Sequence, residues 1–271
     1  MNIEIINTGN ELLSGKIQNT NLDFLIKNLA RLGARLTQIS VIPDNLEIIS
    51  STLRAALERN VEVTIITGGL GATYDDMTLT AVAKAINRPL MLDKRALIMV
   101  EDKFEYAKKL KWANGAEISD HWKKMAIIPE GSIPLNNPPG AAPGVQIEYN
   151  KGKTIFCLPG PPEELKAIFR TAVRPFLQAR IKVKSPEAHF YVLGVIEPSI
   201  SDLIQETFTK FKGVWIKSHP MLHTGKLALE IHLTLQEGYS SADLVEQAKQ
   251  YIMELLEKVE NAKIIPELEV K

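Results

Sequence analysis

The chain has 271 residues, 45% of them hydrophobic and 24% charged, with 32 basic against 32 acidic side chains and a formal net charge of +0. That balance is ordinary for a globular protein and argues against one built mainly to bind nucleic acid, which calls for a basic excess. The single cysteine, Cys157, excludes an intramolecular disulfide and a multi-cysteine metal site, and its apolar neighbours make it a small buried hydrophobe.

The first residues lead straight into a strand pattern at Ile3 to Asn7, without the basic and apolar regions of a signal peptide. No apolar run approaches the roughly 20 residues that span a bilayer, so a cytoplasmic protein with no membrane association is expected. A helical stripe of Leu22, Leu25, Ile26, Leu29 and Leu32 follows, ended by Gly33. Arg35 to Ile42 reads as the second strand. Leu46, Ile49, Leu53 and Leu57 form the next stripe, with Asp44 and Asn45 as capping candidates. Val61 to Ile66 is the third strand, followed by the stripe Leu79, Val82, Ala83 and Ile86. This alternation means right-handed βαβ units: an α/β fold with a mainly parallel sheet covered on both faces. A long helix is expected over Leu92 to Lys111 and a short one over Ser119 to Lys124. Short strands and Pro/Gly loops run from Met125 to Pro162, and Glu163 to Ala179 is helical. Lys182 to Pro186 reads as a linker. Beyond it lies a small α+β unit in the order β-α-β-β-α, which gives two domains, 1–180 and 186–271.

Ligands of parallel sheets sit outside the carboxyl ends of the strands, and the loops there carry the chemistry. After the first strand comes Gly9-Asn10-Glu11-Leu12-Leu13-Ser14-Gly15, which sets a carboxylate between glycines. Pro43-Asp44-Asn45 follows the second strand, and capping is its ordinary local role. The third loop, Thr67-Gly68-Gly69-Leu70-Gly71-Ala72-Thr73-Tyr74-Asp75-Asp76-Met77-Thr78, is the most informative stretch. Its glycines allow the backbone N–H groups to approach a phosphate, and Asp75, Asp76 and Thr78 stand in reach of it. Asp75 and Asp76 could equally cap the next helix. Gathered at one edge, Glu11, Asp44, Asp75 and Asp76 would repel one another unless a cation or a positive ligand group joined them. Two further loops, Asn136 to Gly144 and Leu158-Pro159-Gly160-Pro161-Pro162-Glu163, again permit close backbone approach. No P-loop, no dinucleotide G-x-G-x-x-G and no G-x-S-x-G elbow is present. His219 and His223 are four apart, but Pro220 between them opposes a helical metal pair.

Taken in order, these five loops resemble the CinA-type proteins, which carry a molybdopterin-binding (MogA/MoeA-like) domain; the resemblance covers about residues 1 to 175. Leu193-Gly194-Val195-Ile196-Glu197-Pro198-Ser199-Ile200 and the order of the second unit resemble the small KH-like domain of CinA, here without a G-x-x-G loop. Full-length CinA continues into a nicotinamide-nucleotide amidohydrolase domain, so that activity is not expected of this chain. Leu70 stands where MogA-like proteins have threonine, which favours the CinA branch. Asn10 replaces the usual acid before Glu11, which removes one metal ligand.

The resemblance implies a pocket for a nucleotide or pterin, a homodimer, and a metal-dependent ADP-ribose pyrophosphatase that yields AMP and ribose 5-phosphate. Asp76 and Asp44 match the family's functional acids and would hold a divalent ion (Mg²⁺, or Mn²⁺, Co²⁺ or Ni²⁺), with K⁺ as an accessory ion. Asp76, Asp44 and Glu11 are thus the catalytic candidates. The ligand-binding candidates are Gly9, Gly68, Gly69, Gly71, Asp75, Thr78, Asn137, Gly140, Ala141, Gly144, Pro159 and Gly160. In this reading the Gly68–Gly71 backbone, aided by the Gly140–Gly144 loop, holds a diphosphate while the ion orients a water for in-line attack. The alternatives are molybdopterin handling, such as adenylyl transfer, and a non-catalytic nucleotide-sensing module.

Overall fold

A computed structural model describes residues 1–112, 117–150, 152–181, 186–223, 225–236, 239 and 241–267. The chain divides into two compact units, Met1–Val183 and Lys184–Lys271. The expected linker at 182–186 lies, but for Pro186, outside the described residues.

The first unit begins with β1 (Asn2–Thr8), α1 (Asn10–Leu13), α2 (Thr20–Leu32), β2 (Arg35–Ile42), α3 (Leu46–Glu58), β3 (Val63–Thr67) and α4 (Thr78–Ile86). It continues through β4 (Leu90–Leu92), α5 (Lys94–Lys109), α6 (Asp120–Lys124), β5 (Ile127–Pro129), β6 (Ile133–Leu135), β7 (Gly144–Tyr149) and β8 (Lys153–Leu158). It closes with α7 (Pro162–Ile168) and α8 (Arg174–Arg180). Six strands form one sheet in the order β2-β1-β3-β8-β7-β6, with β2, β1, β3 and β8 parallel and β7 antiparallel to both of its neighbours. This is the mainly parallel α/β sheet that the alternating pattern foretells.

Strand alternation explains the layers. Ile3 and Ile5, Val63 and Ile65, and Phe156 and Leu158 face one side, where Leu25 and Leu29 of α2 and Leu165, Ile168 and Leu177 of α7 and α8 complete a buried cluster. Ile6, Ile66, Ile155 and Cys157 face the other side, against α3, α4 and α5. Cys157 is fully buried, and desolvation pushes its thiol up to about 12. Local chemistry sets the helix ends: Asn19 accepts the Leu22 N–H at 3.0 Å to start α2, and Gly33 ends it in the left-handed conformation.

Three details depart from the sequence expectation. The long helix starts at Lys94, because Leu90–Leu92 pairs with β5 instead. The Gly9–Gly15 loop contains the four-residue α1. Between α7 and α8 the helix opens into a π-type turn, Phe169–Val173, just before Pro175. Proline lacks the N–H, and its ring clashes with the carbonyl four residues back, so the wider turn absorbs the misfit.

The second unit consists of β9 (Glu187–Leu193), α9 (Glu197–Lys210), β10 (Val214–His223), β11 (Lys226–Leu235), α10 (Ala242–Leu256) and β12 (Lys263–Ile265). Its antiparallel sheet has the order β10-β11-β9-β12, with the helices packed on an apolar core that includes Phe190, Ile200, Ile231 and Ile252. The β-α-β-β-α order is present with the short β12 added. His219 and His223 both lie on β10, not on a helix. Among the described residues, no helix is long and apolar enough to cross a membrane.

Candidate functional site

The carboxyl ends of β1, β2, β3 and β8 lie side by side, so four loops leave the sheet together. Bonds between them continue the sheet past its last residues. The Gly9 N–H donates to the Ile42 carbonyl (3.1 Å) and the Gly68 N–H to the Leu158 carbonyl (2.9 Å). The Thr8 hydroxyl donates to the Thr67 carbonyl at 3.2 Å. Gly68 and Gly69 turn the chain with φ of +97° and +66°, and a Cβ on Gly68 would lie 2.5 Å from the Thr8 carbonyl oxygen. Only glycine fits there. Thr78, at the start of α4, pins the turn: its hydroxyl donates to the Gly68 carbonyl (2.8 Å) and its N–H to the Gly69 carbonyl (3.1 Å).

These loops enclose a cleft of about 370 Å³, a size that suits a small ligand. Of the residues named from sequence, Gly9, Glu11, Asp44, Gly68, Gly69, Gly71, Asp75, Asp76, Ala141, Pro159 and Gly160 line it. Thr78, Asn137, Gly140 and Gly144 do not. Thr78 is buried beneath the turn. Asn137 is a buried brace: its amide donates to the Ala142 carbonyl (2.7 Å) and to Glu164 (2.6 Å), and its oxygen accepts the Gly140 N–H at 3.2 Å. Gly140 lies against the Glu164 carboxylate, and Gly144 packs on Ile168. Thr8, Leu70, Met125, Ala142, Pro161 and Glu164 also line the cleft and were not foreseen. Glu164 reads from sequence only as an acid in a helix's first turn, and Asn137 is what ties it to the opposite loop.

The capping question is resolved residue by residue. Asn45 caps α3, accepting the Glu47 and Ile48 N–H groups at 3.0 and 3.1 Å. Asp44 is therefore left free of the helix and accepts the Asn10 N–H at 3.0 Å instead. Helix α4 has Met77 at its cap position and no side-chain cap bond, so neither Asp75 nor Asp76 caps it. Both turn to Thr73, whose hydroxyl lies 2.5 Å from an oxygen of each, and Asp76 also accepts the Thr73 N–H at 2.9 Å. The Thr73 hydroxyl, then the residue's own backbone N–H and the Lys124 charge, hold the Asp75 carboxyl below the usual carboxylate range. One hydroxyl proton cannot serve two carboxylates at once, so this corner is rich in acceptors.

The donors are backbone. The Gly68 N–H is engaged by Leu158, so the expected cradle begins one residue later. Among the described residues, no acceptor takes the N–H of Gly69, Leu70 or Gly71, nor that of Ala141, Ala142 or Gly160 across the cleft. The cleft thus sets unengaged N–H donors beside carboxylate acceptors. For a protein-ligated metal the donor set does not fit: among the described residues, no three His, Cys, Asp or Glu side chains are grouped to hold an ion.

Residues 4–179 match the family model described as a probable molybdopterin binding domain. A protein of Sulfurisphaera tokodaii is 38% identical over 255 residues, which cover 94% of this chain and 93% of that protein. A protein of Aeropyrum pernix is 38% identical over 260 residues, covering 94% and 91%. The solved structure of CinA, a protein with unknown function from Thermoplasma acidophilum, is 34% identical, with a TM-score of 0.58 over 65% of this chain and 99% of that one.

Proposed function

From the premise that this chain is a CinA-like member of the probable molybdopterin binding domain family, we propose that its carboxyl-edge cleft binds a phosphorylated pterin of the molybdopterin type. The observation that carries the reading is the pairing of unengaged N–H groups at Gly69–Gly71 with carboxylates in one cleft. A phosphoryl group takes the N–H donors, as at other glycine-rich strand-to-helix turns. The amino-bearing ring of a pterin supplies N–H groups to a carboxylate, with Glu11 and Asp44 in position to accept them. A ligand that carries both features pairs with the N–H donors and the carboxylates together.

What the residues do in this reading is bind and orient. Thr78 and Asn137 fix the two loops that present the N–H groups, and Asn10 holds Asp44.

The test is calorimetric titration of the purified full chain with molybdopterin and with ADP-ribose, with Mg²⁺, Mn²⁺, Co²⁺ or Ni²⁺ in K⁺ buffer and without divalent metal. Saturable pterin binding that inorganic phosphate competes away, with ADP-ribose left intact, is the expected result. Metal-dependent release of AMP and ribose 5-phosphate, with no pterin bound, would replace this reading by the hydrolase that the sequence resemblance implies.

A further inference from the structure

An edge strand has one side without a ladder partner and so invites pairing with another chain. Proteins guard such edges with short strands, proline, lysine or a covering helix. The two larger sheets of this chain end in four edge strands, and three of them are guarded. β6 is three residues long, contains Pro134 and has α5 packed beside it. β12 is also three residues long and starts at Lys263, and β10 contains Lys217 and Pro220.

β2 is the exception. It runs for eight residues, and among the described residues no strand pairs with its outer side. A register shift leaves Thr37 as an extra residue opposite the Ile3–Glu4 step, but from Gln38 to Ile42 the pairing with β1 is unbroken. That regular stretch, Gln38-Ile39-Ser40-Val41-Ile42, holds no charge and no proline. Ile39 and Val41 lie beside Ile5 and Asn7 on the α2 face of the sheet, yet they are 38% and 36% exposed. The flanking helices extend the strip: α1 and α2 pack against β2, and their Leu13 and Ile26 are 53% and 37% exposed. Aliphatic side chains gathered along an open edge mark an interaction surface.

The side chains of the stretch select its partner. An added strand takes affinity from main-chain bonds and specificity from the side chains at alternate positions. Gln38 to Ile42 offers no charge with which to choose a foreign strand, but it matches itself. Antiparallel pairing about a two-fold axis at Ser40 sets Ile39 against Val41 of the second copy, and Val41 against Ile39 of that copy. Both pairs fall on one face, aliphatic beside aliphatic, and no like charges are opposed across the stretch. Such a contact is isologous and closes at two chains.

We propose that two copies of this chain associate through β2, paired antiparallel about a two-fold axis at Ser40, so that their six-stranded sheets join into one. The association stands whatever the carboxyl-edge cleft binds.

The direct test is a cross-link. The chain's one cysteine, Cys157, is fully buried, so Ser40→Cys adds a single accessible thiol. Residues opposite each other in an antiparallel pair have Cα atoms roughly 4.5–5.5 Å apart, a span that a disulfide bridges. Under mild oxidation Ser40→Cys should give a covalent dimer on a non-reducing gel, while Lys109→Cys, at an exposed position of α5, stays a single chain. By analytical ultracentrifugation the wild-type chain should sediment at twice 30.2 kDa and Val41→Lys at 30.2 kDa, since lysine on an edge blocks pairing. If Val41→Lys fails to fold by circular dichroism, Ile39→Thr, which keeps strand propensity, replaces it and should weaken the dimer about tenfold. A monomeric wild type, a dimer of undiminished affinity in the folded variant, or cross-linking of Ser40→Cys no faster than that of Lys109→Cys overturns the proposal.

Discussion

The two ends of the parallel sheet treat polar groups in opposite ways. At the amino end, Glu4 is buried in β1 and its carboxylate takes two bonds from the Arg59 guanidinium, at 2.7 and 2.6 Å. The pairing is bidentate, and the hydrogen bond to Glu4 drives the Arg59 pKa above its ordinary value against the desolvation that would lower it. At the carboxyl end the reverse holds: among the described residues, no acceptor takes the N–H groups of Gly69–Gly71, and Asn7, Asn19 and Asn21 each keep a buried atom without a partner. Buried polarity that is satisfied holds a fold together. Buried polarity left open in a cleft marks where a ligand completes the structure.

If that contrast is sound, substitutions at the two ends separate into binding and stability effects. The largest is expected from Gly69→Val. A Cβ there would lie 2.5 Å from the Thr78 hydroxyl at a φ of +66°, so the turn must move and pterin-phosphate affinity should fall by roughly 10²-fold or more by calorimetry. Retained affinity would break the assignment of the turn. Glu4→Ala should cost about 1–3 kcal/mol in urea unfolding, less than a fully buried pair because Arg59 keeps access to water. Ligand affinity per folded molecule should not change, and a loss there would blur the contrast.

A smaller effect belongs to Asp93, which caps α5 by accepting the Arg95 and Ala96 N–H groups at 2.9 and 3.0 Å. Burial pushes its carboxyl up, but the Ala96 and Arg95 hydrogen bonds and the Arg95 charge outweigh this and hold it low. A carboxyl depressed in the folded state adds stability above its unfolded pKa and loses it as pH falls through the folded value. Asp93→Ala should therefore cost about 1 kcal/mol near neutral pH, and the difference from wild type should shrink as pH drops below about 4. The least perturbing probe is Cys157: buried and with its thiol raised to about 12, it should label only through unfolding. Labelling should be faster in Glu4→Ala than in wild type. Rapid labelling of the native protein would contradict its core position.

Much of this was legible in the chain. The short apolar runs such as Ile3 to Ile6 and the leucine stripes between them mark strands, helices and a parallel sheet, and parallel topology alone sends the loops bearing Glu11, Asp44 and Asp76 to one edge. What sequence cannot rank is competition between neighbours. Asp44 and Asn45 are both good caps, and only the reach of Asn10 across to Asp44 decides that Asn45 takes the helix. Asn21 is uninformative until its amide meets the Gly160 carbonyl 139 residues away. Asn137 likewise looks like a ligand contact until the fold turns it inward onto Glu164. The amino-end pair is a further case, since Glu4 and Arg59 stand 55 positions apart.

The most direct test follows the backbone amides by ¹H–¹⁵N NMR as a phosphorylated pterin is added. The binding account predicts saturable shifts at Gly69, Leu70, Gly71, Ala141 and Ala142, with the amides around Glu4 and Arg59 unmoved. Saturation with the carboxyl-edge amides unmoved, or with no binding at all, would contradict it.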